Sequence, residues 1–409
     1  MNKSLYTFLF LLPTTGICQV MQDHKAIVKY TQLPAVSIND GSNMFSVVVE
    51  TPFLQKNQDS MALYEITKQN YMKEVETALD NWRLQNSGAG DRNYWAQMAV
   101  YENKVNAGDA TAQMPQQSPP APFVFNKPYP KKPFLLKEVN GPSVISGIKI
   151  EGFTQQQDAP VKITLIWNGF ERGPIKENKS GAGALTKYKY EVQYRHRVTL
   201  KIDVPGKGLV VNENIAETEG YRTYNTSEYK TRGDFKLWWI DNEATFWEQR
   251  QAEIVMQHVA TINSYLNEKV GYPKKSYAVE MHSVKKSKDF DYSDYTTAWN
   301  AAQDGLLKVE YKDKKAEVSQ KLQQAIDIWN KALTESDLNS KKARINREVT
   351  SATYVNLAIA YLWQGNYVDA ELSCNKGLAV DFNRYNRELR PILDFVKFQK
   401  ARAEANPGQ

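Results

Sequence analysis

Cysteine is almost missing from this chain, since 409 residues hold only Cys18 and Cys374. Cys18 falls in a segment that reads as removable, so Cys374 would stand alone and no intramolecular disulfide could form. Stability must then come from packing. Cys374 lies on the inner face of an expected helix, where a thiol acts as a small hydrophobe. Histidine is sparse too. His24, His196, His258 and His282 are scattered, and no pair has a metal-ligand spacing. There is no cysteine pair for zinc, no glycine-rich phosphate loop ahead of Lys-Ser/Thr and no Gly-x-Ser-x-Gly elbow. Neither a cofactor nor a metal is expected. His258 shares an apolar stripe with Val255 and Ile262 and reads as a core histidine.

Long hydrophobic runs are confined to the start. Met1-Asn2-Lys3 precedes an apolar run from Leu5 to Leu12, and Gly16 and Cys18 put small residues before Gln19. That order is a secretory signal over 1–18, with the mature chain starting at Gln19. A lipid anchor at Cys18 is disfavoured, because Ile17 stands where a lipoprotein has a small residue. No later stretch approaches membrane-spanning length, so membrane association is peripheral at most. An excess of positive charge is lacking as well. The 52 Lys and Arg against 46 Asp and Glu are interspersed, which is no nucleic-acid footprint. The densest basic run, Lys285-Lys286-Ser287-Lys288, is followed by Asp289, Asp291 and Asp294 and reads as a solvated turn.

What is present suits a packed protein of two or three domains: 42% hydrophobic residues with 24% charge. Residues 19–105 predict strands and helices. Phe45-Ser46-Val47-Val48-Val49 is a β-branched run, and Leu63, Ile66, Tyr71, Val75, Leu79 and Trp82 recur at helical spacing after a cap at Ser60. A shorter helix is expected around Tyr94 to Val105. Residues 106–134 carry seven prolines and read as a linker or surface loop. Residues 135–230 alternate with period two at 144–150, 161–167, 187–194 and 198–204, with Pro205-Gly206 as a hairpin turn. This predicts an antiparallel sheet or small sandwich. From 231 to 409 helices dominate, the clearest over 243–270 with Asp241 or Asn242 as its cap, broken by one strand at 276–284 that is expected to return to the sheet.

Residues 351–382 are the most informative. Tyr354, Leu357, Ala358 and Tyr361 share one face of a first helix, Gly365 breaks it, and Ala370, Cys374 and Gly377 line the facing side of a second. The spacing resembles a tetratricopeptide repeat, departing from it with Cys374 for a large ring, Gly377 for Ala and Phe382 for Pro. Helices at 293–308 and 315–334 read as an irregular preceding hairpin whose turn is enlarged by the insertion 309–314, and 391–403 as a cap helix. The fold class is thus α+β, ending in a repeat hairpin and cap. In such repeats the positions here held by Val355, Ile359, Leu362 and Trp363 line a concave groove. They are apolar, unlike the Lys, Arg and Asn of carboxylate-binding relatives. Either the groove takes a hydrophobic partner segment or this chain fills it, and an array this short favours the second, with the face packed against the β-rich unit.

Signal, β-rich region, proline-rich stretch and repeat together resemble exported tetratricopeptide proteins of the Gram-negative envelope. The resemblance implies a periplasmic or outer-membrane-associated, non-catalytic scaffold that binds other envelope proteins. A second reading is a glycan-binding module or glycan-processing enzyme, since Asp241 and Glu243 lie beside Trp238 and Trp239.

Overall fold

The computed structural model describes residues 20–408 except 87–88, 117–121 and 288. The expected signal 1–18, with Cys18, lies outside the described residues. The protein is α+β.

The larger sheet is built around two long strands, β4 (Val161–Ser180) and β5 (Lys187–Val204). Along β5 every second residue from Tyr190 to Val204 is buried, including Val192, Tyr194, His196, Val198, Leu200 and Ile202. That strict alternation buries one face. On β4 the buried positions run Val161, Ile163, Leu165, Trp167 and then Phe170, because a bulge shifts the parity there. Gly169, at φ 109°, turns the chain within the bulge. Short strands β2 (Met44–Glu50), β3 (Thr154–Gln155), β6 (Gly208–Asn214) and β7 (Arg222–Asn225) complete the sheet. Pairing is antiparallel around β5, but β2 lies parallel to both β3 and β4, so the sheet is mixed.

The buried face is covered by one 38-residue helix, α4 (Arg232–Lys269), which brings Phe246, Trp247, Ile254, Ile262 and Leu266 into the core. It starts earlier than expected. Thr231 and Asp234 form a capping box, so Trp238, Trp239, Asp241 and Glu243 all lie inside the helix and neither Asp241 nor Asn242 caps it. Residues 144–150 depart from expectation too. Asn140 caps a short helix, α3 (Gly141–Gly147), opened by Pro142, and residues 148–150 form no strand.

The stretch 135–152 is laid along α4 by side-chain amides. Gln251 brackets Lys137, accepting its N–H at 3.0 Å and donating to its carbonyl; Asn263 joins Lys149 N–H to the Gly147 carbonyl; Asn267 joins Glu151 N–H to the Lys149 carbonyl. A primary amide offers one donor side and one acceptor, so it can satisfy extended backbone as a neighbouring strand would.

Between β2 and α3 the chain makes an arm. Helix α1 (Phe53–Asn86) buries only Phe53 and is about 51 Å long at 1.5 Å per residue. Helix α2 (Ala89–Asn106) follows at its tip. Residues 122–136 then run back along α1: Phe123 meets Trp82, Phe125 and Tyr129 meet Tyr71, Lys127 pairs with Glu74, and Asn57 brackets Leu136 through both backbone groups. The expected linker is therefore a strap over this length. Its prolines hold the chain extended without N–H groups that would need partners.

The second body joins the two ends of the chain. Strand β1 (Val20–Thr31) pairs antiparallel with β8 (Lys274–Lys286) in a separate two-stranded ribbon. The strand expected to return to the sheet pairs with β1 instead, and residues 19–105 are divided among the ribbon, the sheet and the arm. The ribbon packs on helices α5 (Ser293–Leu306), α6 (Lys315–Leu333), α7 (Arg347–Gln364), α8 (Tyr367–Val380) and α9 (Asn383–Ala405), through Val28, Val279, Met281 and Val284. Helix α9 begins eight residues before the expected cap helix and contains Pro391. Among the described residues no helix is long and apolar enough to cross a membrane.

Candidate binding cleft

Helices α7 and α8 meet where their residues are small. Ala358, Ala370 and Cys374 are fully buried, and Gly365 at φ 85° ends α7 in a left-handed cap. A Cβ on Gly377 would come 2.7 Å from Leu389 Cδ1 and 2.8 Å from Tyr354 Cβ, so a side chain is excluded there. Leu357 is buried, while Tyr354 and Tyr361 are half-buried beside a hollow of about 300 Å³. Burial, reinforced by the charge of Glu371, pushes the Cys374 thiol up to about 12, so it stays protonated and unreactive.

The expected groove residues divide. Val355, Ile359 and Leu362 are at most 3% exposed, in the same core as the ribbon. One turn from Ile359, the buried Asn356 accepts the His282 N–H and donates to the His282 carbonyl, both at 2.7 Å. This chain thus covers that face with β8. The cover comes from the ribbon and not from the sheet. Trp363 is half-buried against Tyr30 of β1 at 5.0 Å between ring centroids, with Tyr277 and Phe395 beyond it.

Leu362 and Trp363 also reach a cleft of about 1180 Å³ between the two bodies. Its walls carry the rings of Tyr30, Tyr272, Tyr311, Trp363 and Tyr367, with Lys274, Lys312 and Lys315 against Glu151 and Glu310. Tyr311, in the short connection between α5 and α6, is half exposed at the rim. The connection that read as an enlarged turn, 309–314, forms one wall.

Hydrogen bonds tie the two bodies together beside the cleft. Arg402 of α9, nearly buried, donates to Glu268 Oε1 at 2.6 Å, to the Glu268 carbonyl and to the Leu33 carbonyl. It thereby closes the C-terminal end of α4, where carbonyls lack helical partners. Asn406 donates to the Pro34 carbonyl, and Gln32 binds both Glu268 and the Pro273 carbonyl.

The aromatic and acidic residues behind the glycan reading are elsewhere. Trp238 and Trp239 are half-buried in a ring cluster with Phe235, Phe246 and Trp247. Glu243 accepts from Arg172 and from the Trp247 indole, and Asp241 is exposed. These side chains are not among those lining the cleft.

The histidines have structural surroundings. His196 packs against Phe53, Trp167 and Phe170 with neither ring nitrogen hydrogen-bonded, and His258 Nε2 donates to the His196 carbonyl at 2.8 Å. Burial lowers both, His196 to about 3 and His258 to about 4. His282 Nδ1 faces Asp23 at 3.0 Å and Nε2 faces Glu388 at 2.7 Å, joining β1 and β8 to α9. Among the described residues no group of three His, Cys, Asp or Glu could hold a metal ion.

Sequence reasoning missed β1, Tyr311 and Asn356. An uncharged amide in the otherwise apolar run 355–360 was the one available signal for Asn356; Tyr311 had none. No protein-family model matches this chain, and no curated protein matches it.

Proposed function

We propose that this protein is a non-catalytic scaffold that binds other proteins, exported to the bacterial envelope. The cleft carries the reading. At about 1180 Å³ it exceeds the roughly 300–1,000 Å³ usual for small-molecule sites, and its ring-lined walls suit a protein segment. The arm supports it. Leu63, Ile66, Leu84, Trp95 and Val100 are each more than half exposed along α1 and α2, and apolar side chains presented in this way suit contact with another protein. The tetratricopeptide-like spacing of Tyr354 to Gly377 favours the same class, with partners in the cleft because Val355 and Ile359 are covered while Leu362 and Trp363 reach the cleft. The charged, apolar and small-residue order of 1–18 supports export, and N-terminal sequencing of the natural protein should read from Gln19. Mild crosslinking in native cells, followed by purification and mass spectrometry, should recover a defined set of envelope proteins joined through cleft or arm residues. Recovery of this chain alone would overturn the scaffold reading.

A further inference from the structure

The ribbon has one edge against the helices and, among the described residues, one edge open. Because Asn356 binds both backbone groups of His282, those groups point away from β1, and so do those of Asp23, its partner in the register. Gln32 N–H bonds to the Pro273 carbonyl, which fixes the same alternation from the other end. Every second residue of β1 therefore turns its N–H and C=O outward: Asp23, Lys25, Ile27, Lys29 and Thr31. None of these groups has a hydrogen-bond partner among the described residues.

An open edge this long is a template for another strand. Its side chains select which one. Lys25, Ile27 and Lys29 stand in a row on the solvent face; Ile27 is 62% exposed, the Lys25 side chain reaches Glu280 only at 3.8 Å, and Lys29 has no ion pair among the described residues. A second copy is disfavoured. Antiparallel self-pairing centred on Ile27 would set Lys25 opposite Lys29 twice, and like charges directly opposite are destabilising. We infer that the outer edge of β1 takes an extended segment of a partner protein as a third strand, with an apolar side chain opposite Ile27 and acidic ones two residues to either side. The inference rests on the scaffold reading and names one of its contact surfaces, which ends at Tyr30 and Thr31 on the cleft wall.

The test is fluorescence anisotropy on the full chain with two labelled heptapeptides, Thr-Glu-Thr-Val-Thr-Glu-Thr and Thr-Lys-Thr-Val-Thr-Lys-Thr. The acidic probe should bind saturably and the basic one at least about tenfold more weakly. Lys25→Glu with Lys29→Glu should reverse that preference. Ile27→Pro removes an outward N–H without touching a bond to β8, so it should abolish binding of the acidic probe while leaving the melting temperature in place. Absence of saturable binding to the natural chain, an unreversed preference in the double variant, or full binding by a folded Ile27→Pro protein would each overturn the proposal. Crosslinked partners that persist in Ile27→Pro would sink the edge and spare the scaffold reading.

Discussion

Asn356 shows how one side chain decides the position of a strand. Its amide replaces the neighbour that β8 lacks on its inner edge, deep in the helical core. Asn356→Leu keeps the approximate shape but strands the His282 N–H and C=O, so unfolding in urea should show a loss of about 1–3 kcal/mol. Asn356→Asp should cost more, because a carboxylate oxygen would face the His282 carbonyl. Next to it, Ile359→Asp would bury an unpaired charge at a position 1% exposed, and a loss of several kcal/mol is expected. An unchanged melt for Ile359→Asp would mean that the ribbon leaves this face in solution.

At the scale of elements, the helices announced themselves more clearly than the strands that cover them. The periodicity of 315–334 and 351–382 is local, and α6, α7 and α8 lie close to it. Strand β1 alternates only weakly, and its partner is about 250 residues away, so nothing local marks the pairing. The cleft was illegible for the same reason: its rings come from β1, from the α4–β8 connection, from the α5–α6 connection, from the end of α7 and from the start of α8, and only the fold gathers them. The strap shows a different limit: its irregular course was legible, but prolines that forbid helix and sheet also permit a chain to lie flat on a helix, and nothing local says which helix. Tyr71 joins the strap at two rings, Phe125 and Tyr129. Tyr71→Ala should speed proteolysis within 122–133 without shifting the global melt; equal cleavage in both proteins would mean the strap does not depend on these rings.

Across the whole molecule, two cores meet through Arg402, Asn406 and Gln32, and two histidines, His196 on β5 and His258 on the helix α4 that covers it, set an acid limit by their burial. Their folded values, about 3 and about 4, lie below the ordinary 6.5. Between those values the unfolded chain binds protons that the folded one refuses, so stability is full above about pH 6.5 and falls as the pH drops toward 4. The slope approaches about 2.7 kcal/mol per pH unit if both contribute. Carboxylates held low by arginine or lysine, such as Glu171 and Glu213, lose their contribution only further down. His196→Phe should keep the fold, since neither ring nitrogen is bonded, and should roughly halve the slope between pH 6.5 and 4 in urea titrations. An identical slope would place the acid sensitivity elsewhere.

The cleft as a protein-binding surface is tested most directly by crosslinking capture with Tyr311→Asp, which alters the half-exposed rim and leaves both cores alone. The variant should melt with the natural protein and lose the partners captured through the cleft. Undiminished capture of the same proteins by a normally folded Tyr311→Asp chain would contradict the assignment.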